Sequence, residues 1–148
     1  MSRISVLLLI SLLSVSMMSC MKGIGLLQAC IHGQTERVKK LLDEGVDPNF
    51  RDPIRGDFPL LIAQIHGHED ITKLLVQRDA DVNQIDRSGR SSLMMAAHHG
   101  RLKQVQFLLE SGAIIDLKDE DGDSALDLAI EKRHVEIADL LRRKSEVN

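Results

Sequence analysis

Residues 59–83 read PLLIAQIHGHEDITKLLVQRDADVN. Three other stretches fall into register with them: GLLQACIHGQTERVKKLLDEGVDPN from Gly25, SLMMAAHHGRLKQVQFLLESGAIID from Ser92 and ALDLAIEKRHVEIADLLRRKSEVN from Ala125. The four starts are offset by 34, 33 and 33 residues. Leu26, Leu60, Leu93 and Leu126 align, as do Ala29, Ala63, Ala96 and Ala129. Gly33, Gly67, Gly100 and Arg133 follow, and Leu41, Leu75, Leu108 and Leu141 close each unit. A fixed period of this length marks a chain of stacked repeats.

Within each unit a short apolar segment, a glycine break and an amphipathic segment follow one another. In the third unit Leu93, Ala96 and Ala97 sit at helical spacing, and so do Val105, Leu108 and Leu109. Small alanines on the first helix permit close packing, and Gly100 can end that helix in a left-handed conformation. Two short helices cannot bury both apolar faces alone, so the units must stack around one continuous core. Between units lie DPIRGD at 52–57, DRSGR at 86–90 and DEDGD at 119–123. Each is turn chemistry: the Asp carboxylate bonds nearby backbone and the Gly takes the awkward φ. The extra residue of the first period falls at Asp52-Pro53-Ile54, inside a turn.

DADVN at 79–83 and GHEDITKLL at 67–75 carry a resemblance to the ankyrin repeat family, over about residues 22–148. It implies an all-α fold, an ankyrin-type helical repeat solenoid of four repeats at about 22–56, 57–89, 90–122 and 123–148. The chain departs from the family pattern at T-P-L-H, which reads IGLL, FPLL, SSLM and SALD here. The histidine that links repeats in the family is missing, and packing by Leu and Met is expected in its place. Asp79 replaces the usual Gly after the second helix. Asp127 and Arg142 stand where earlier units carry apolar residues, which suits a polar terminal cap. The last residues, Glu146-Val147-Asn148, fall at the repeat boundary, so a fifth unit is not expected.

Ahead of the repeats, MSRISVLLLISLLSVSMMSC has one cation, no acid, and an apolar run from Val6 to Leu13. That is the layout of a signal segment over residues 1–20, and the run is shorter than the ~20 apolar residues of a spanning helix. Met17-Met18-Ser19-Cys20 resembles a bacterial lipobox, with Cys20 as the lipid-attachment residue and Met17 a poor match for the usual Leu. An exported, periplasmic or envelope-anchored lipoprotein is the expectation. Cleavage without lipid, no cleavage, or a cytoplasmic product starting at Met21 are the alternatives. The first repeat helix is expected to start near Cys20.

Charge and composition exclude some partners. Lys plus Arg total 19 against 22 acids, a net charge of -3, which offers no electrostatic reason to bind nucleic acid. Three Phe and no Tyr or Trp leave little for stacking on bases. No nucleophile–base grouping, phosphate loop or dinucleotide fingerprint is present, so no catalytic residue and no cofactor is assigned. His32, His66 and His99 are register-equivalent. Helix axes roughly 8–10 Å apart keep them from sharing a zinc whose ligands sit at ~2 Å. Counting an EF-hand from Asp119 puts Ile130 where position 12 requires Glu. No metal ligand is therefore assigned. Cys30, among the helix alanines, reads as a small buried hydrophobe; a redox thiol or a disulfide to Cys20 are the other readings.

The resemblance implies protein binding through turn tips and the exposed side of the first helices. Mapped by register, the first unit contributes Ile31 and His32, and the second Arg55, Asp57, Ile65 and His66. The third contributes Arg87, Ser88, Arg90, His98 and His99, and the fourth Glu120, Asp121, Asp123, Glu131 and Lys132. The expected function is non-catalytic protein–protein interaction by a monomer in a bacterial envelope. It would touch membrane only through the lipid anchor. A secreted effector binding a host protein, and a metal- or pH-responsive histidine module, are the competing readings.

Overall fold

The computed structural model describes residues 3–146, with side chains from Ser16 onward. Eight helices follow in order: α1 Arg3–Ile31, α2 Thr35–Asp43, α3 Pro59–His66, α4 Glu69–Gln77, α5 Ser92–His98, α6 Leu102–Glu110, α7 Ala125–Glu131 and α8 Val135–Ser145. Among the described residues there is no strand, only one isolated bridge, Ile85 to Ser91, at the base of the second turn. The odd-numbered helices pack in a row, α1 on α3, α3 on α5 and α5 on α7, with the even-numbered helices behind them. This is the four-pair helical solenoid that the period implies. Val147 and Asn148, on which the expected clean ending rests, lie outside the described residues.

The register dictates the core. Ala29, Ala63, Ala96 and Ala129 have no exposed surface, so the first helices approach closely at these positions. Leu75, Leu108 and Leu141 are equally closed. The ends of the row differ: Leu41 and Leu126, aligned with buried leucines elsewhere, are half-buried because each lacks a neighbouring unit on one side.

Polar links join the units, which corrects the expectation that packing alone replaces the missing T-P-L-H histidine. The residue after each glycine break reaches back to the preceding first helix. His68 Nε2 lies 3.3 Å from the Ile31 carbonyl, Arg101 Nη2 donates to the Ile65 carbonyl at 3.2 Å, and His134 Nε2 lies 3.1 Å from the His98 carbonyl. These carbonyls close their helices and have no partner within them. The glycine makes the link possible. A Cβ at Gly33 would lie 2.6 Å from the His68 ring, and one at Gly100 would lie 2.6 Å from the His134 ring. Arg133 takes the fourth such position with φ 60°. A second set of bonds runs along the other edge. Asn49 donates to the Asp79 carbonyl at 3.2 Å and accepts the Asp81 amide at 2.7 Å, and Asn83 repeats this with Gly112 and Ile114.

Caps and turns behave as their residues require. Ser124 starts α7, and Asp127 accepts its amide at 2.9 Å and its hydroxyl at 2.6 Å, while the Asp127 amide donates back at 3.3 Å. Asp127 therefore closes a capping box as well as making the outer face polar. Its carboxyl is held below its usual range, first by the Ser124 hydroxyl and then by the Ser124 amide. In the turns, Asp52, Asp86 and Asp119 each accept two backbone amides on one carboxylate oxygen. The Gly56 amide donates four residues back to Asp52, whereas Gly89 and Gly122 donate three back, so the inserted residue widens the first turn.

The largest departure is α1. Instead of starting near Cys20 it runs unbroken from Arg3, with no proline to stop it. Ser19–Cys20 lies within it. Lys22 pairs with Glu44 at 3.4 Å. Gly23 lets the helix approach the Phe50 ring, which a Cβ there would strike. Met17, Met18 and Met21 are exposed. Among the described residues no helix is long and apolar enough to cross a membrane.

Candidate partner-binding surface

The turns after α2 and α4 stand over the C-terminal ends of α1 and α3 and enclose a groove of about 440 Å³. Its floor is Ile31, Ile62 and Ile65; its walls carry Arg55, Asp57, His66, Asp86, Ser88 and Arg90. Ile31, Arg55, Asp57, Ile65, His66, Ser88 and Arg90, seven residues named from register, thus converge from three units. Ile31 and Ile65 are half-buried rather than open, because the groove walls cover them.

Two members were missed by sequence. Ile62 lies one turn before His66 on α3 and reads as core, being 7% exposed. Asp86 was legible as turn chemistry but not as a buried charge. Its side chain is 2% exposed, and Arg90 grips Oδ2 with Nη2 at 2.6 Å and Nε at 2.7 Å. The Ser88 and Arg90 amides bond Oδ1 at 2.9 and 2.8 Å. Arg90 therefore neutralises an internal acid, and reversing its charge would damage the turn before it touched any ligand. Arg55, in contrast, is exposed and makes no ion pair among the described residues.

The other named residues lie outside this groove. Arg87 clamps the first turn, donating from Nη2 to the Pro53 carbonyl at 2.6 Å. Glu120 stitches the third turn to the second through its amide, 2.9 Å from the Ser88 carbonyl. Asp121 and Asp123 share that acidic third turn, and their amides bond the Asp119 carboxylate. Glu131 and Lys132 pair with each other at 2.8 Å, and the lysine holds the Glu131 carboxyl below its usual range.

The histidines do not converge. His32 and His99 each turn Nδ1 to the carbonyl four residues back on their own helix, at 2.8 Å in both cases. His66 stacks on His68 with centroids 6.1 Å apart, and His98 meets His99 edge-on at 4.9 Å. Burial, followed by the neighbouring His99 and Lys132, lowers the His98 pKa, and its Nδ1 has no partner. Among the described residues no three His, Cys, Asp or Glu side chains gather as metal ligands. Cys30 is buried, and burial pushes its thiol up to about 12, which leaves little nucleophilic thiolate. Cys20 and Cys30 lie on one helix, about 15 Å apart by the rise per residue, well beyond the ~7 Å limit of a disulfide. Both are free.

Comparison with known proteins agrees with this architecture. Residues 26–119 match the family model described as ankyrin repeats in three copies. The chain is 37% identical over 101 residues to the mouse ankyrin repeat and SAM domain-containing protein 6, covering 66% of this chain and 11% of that protein. It is 35% identical over 95 residues to alpha-latroinsectotoxin-Lt1a of Latrodectus tredecimguttatus, covering 64% of this chain and 7% of the toxin. The chain thus spans only a small fraction of the length of these relatives.

Proposed function

The chain belongs to the ankyrin repeat family, whose repeats are generally protein–protein interaction modules, and from that premise we propose that it is a non-catalytic binding protein whose partner engages the groove over α1 and α3. The observation that carries this is the groove itself, where residues of three units meet around an isoleucine floor with Arg55 unpaired at its edge. A concave, largely pre-formed site with an apolar base and few polar groups suits a protruding aliphatic side chain of a protein. The turn clamps from Arg87 and Glu120 hold its walls in place before binding, which reduces the ordering cost.

We further propose that the protein is exported and works as a monomer at a bacterial envelope, anchored through Cys20. The support is the charged start, apolar run and Ser-Cys exit of residues 1–20. Cys20 is partly exposed, and the part of α1 that follows it is the first helix of the first repeat. Processing at Ser19–Cys20 would require α1 to open locally there.

Both proposals have direct tests. Ile65→Asp and His66→Ala should abolish and weaken, respectively, co-purification of the partner from envelope extract, with helical circular dichroism unchanged. Full binding by both variants would remove the groove from consideration. The intact mass of the protein from its native membrane fraction checks the anchor. A diacylated chain beginning at Cys20 is expected; an unmodified soluble chain would overturn it.

A further inference from the structure

The first turn differs from its two successors in both length and side chains. Counted back from the turn glycine, Ile54 holds the position of Arg87 and Glu120. The inserted residue widens this turn, and Ile54 is 79% exposed, the most open large apolar side chain described. An isolated exposed isoleucine needs no explanation. This one is held in place.

Asp52 Oδ1 accepts the amides of Ile54 at 2.6 Å and Arg55 at 3.0 Å. The backbone of Asp52 bonds both Gly56 and Asp57 at 2.8 Å, which shuts the loop at its base. From the next turn, Arg87 donates to the Pro53 carbonyl at 2.6 Å, with its stem packed over Gly56. Ile54 therefore stands on a fixed platform and loses little backbone freedom on being covered.

Its surroundings are basic. Arg51, Arg55 and Arg87 are all exposed, and Arg51 lies 6.0 Å from the centroid of the Phe58 ring. The opposing acids are Asp52 and Asp57. Asp52 is turned into the loop, where the amides of Arg55 and Ile54, then the charges of Arg55 and Arg87, lower its pKa. An apolar side chain on a turn that also carries Arg51 and Arg55, and is clamped by Arg87, has the composition of a binding anchor, since aliphatic contact and charge act together where water is excluded.

Building on the protein-binding reading above, we propose that Ile54 is an anchor for an acidic, aliphatic-rich protein segment. The segment's aliphatic side chains would cover Ile54 while its carboxylates meet the arginine rim, Arg55 first. The charges that decide this are three arginines against two acids, Asp52 and Asp57, an excess of one positive charge, and Asp52 is turned into the loop, where its carboxylate is already bonded by two amides. A basic segment is therefore disfavoured, and binding should weaken as salt rises.

The test is selection of random linear peptides displayed on phage against the immobilised full chain. Recovered peptides should be enriched in Asp and Glu next to Leu, Ile or Val. Their binding should be lost with Ile54→Asp and weakened roughly tenfold or more with Arg55→Glu. Retention by Ile65→Asp would place these peptides on the turn alone; loss with both Ile54→Asp and Ile65→Asp would mean one segment spans turn and groove, and supports both readings. Peptides lost with Ile65→Asp but indifferent to Ile54→Asp would overturn the anchor and leave the groove standing. Basic or neutral peptides, peptides indifferent to both substitutions, or recovery of none would overturn it outright. Ile54→Ala, which removes the side chain without adding charge, guards against a loop disturbed by the new carboxylate.

Discussion

The junction between the second and third helix pairs is polar, while the same positions one unit later are dry. Gln64 on α3, Thr72 on α4 and Gln104 on α6 have as their register equivalents Ala97, Val105 and Ile137. All six are buried. Gln64 Nε2 donates to the Thr72 hydroxyl at 3.0 Å, and that hydroxyl lies 3.3 Å from Gln104 Oε1 and 3.1 Å from the His68 carbonyl. Gln64 Oε1 and Gln104 Nε2 are left without partners. A half-satisfied network forfeits stability that an apolar seam keeps. What it supplies is a polar match between the second and third units, which no apolar seam can make with it. Repeats of nearly identical shape thereby acquire a specified neighbour.

The largest expected effect comes from cutting that network at its centre. Thr72→Val removes the only partner, among the described residues, of two buried amides and should cost about 3 kcal/mol, at 1–3 kcal/mol per stranded group. Gln64→Leu, Thr72→Val and Gln104→Ile together remove both stranded amide atoms of this network at nearly constant volume, and should raise the urea midpoint above that of wild type. A triple variant less stable than wild type would show that the polar seam is the stronger of the two and reverse the comparison.

Much of the fold was legible because its evidence is one-dimensional. The 33-residue register, the alanine column and the glycine breaks need no neighbour in space to be seen, and they are enough to mark four helix pairs and to put Ile31 and Ile65, but not Ile62, on one face. What escaped was spatial. The bond from His68 to Ile31 spans 37 residues, and nothing about GHED announces which carbonyl the ring will meet. Asp86 read as a turn residue, but its burial depends on Arg90 folding over it. The start of α1 is not legible because a signal segment and a helix draw on the same apolar residues. Ile54 is invisible to the register because an insertion in a turn shows its length in sequence but not that it pushes a side chain outward.

The two seams also differ in the side chain that reaches back across them, and the glycine beneath it measures the difference. Gly112 has φ 90° and open space around its Cβ position, so Gly112→Ala should cost only the backbone strain, about 1 kcal/mol. Gly100→Ala adds a collision with the His134 ring, a rigid group held to its carbonyl, and should cost about twice as much. At Gly67 a Cβ would come 2.9 Å from Arg101 Nη2, the far end of a flexible chain that can swing aside. Gly67→Ala should therefore fall between the other two. Equal costs at all three sites, read from urea midpoints, would mean that the link across each seam adds nothing to the strain of the turn.

The smallest expected effect separates the seams by pH. Burial lowers the pKa of His98 in the fold, with His99, Lys132 and His134 adding to the shift and Glu131 opposing it. Its equivalent in the preceding unit is Ile65, which cannot titrate. A histidine whose folded pKa lies below its unfolded value near 6.5 binds a proton more readily once unfolded. Its contribution is thus complete above that value and drains away as the pH falls through the folded pKa. Partial exposure screens the effect, so the loss between about pH 7 and about pH 5 should stay below ~1 kcal/mol. His98→Ile copies the preceding unit and should remove this part of the acid sensitivity, seen as a smaller difference between urea midpoints at the two pH values. An unchanged difference would locate the acid-sensitive step elsewhere.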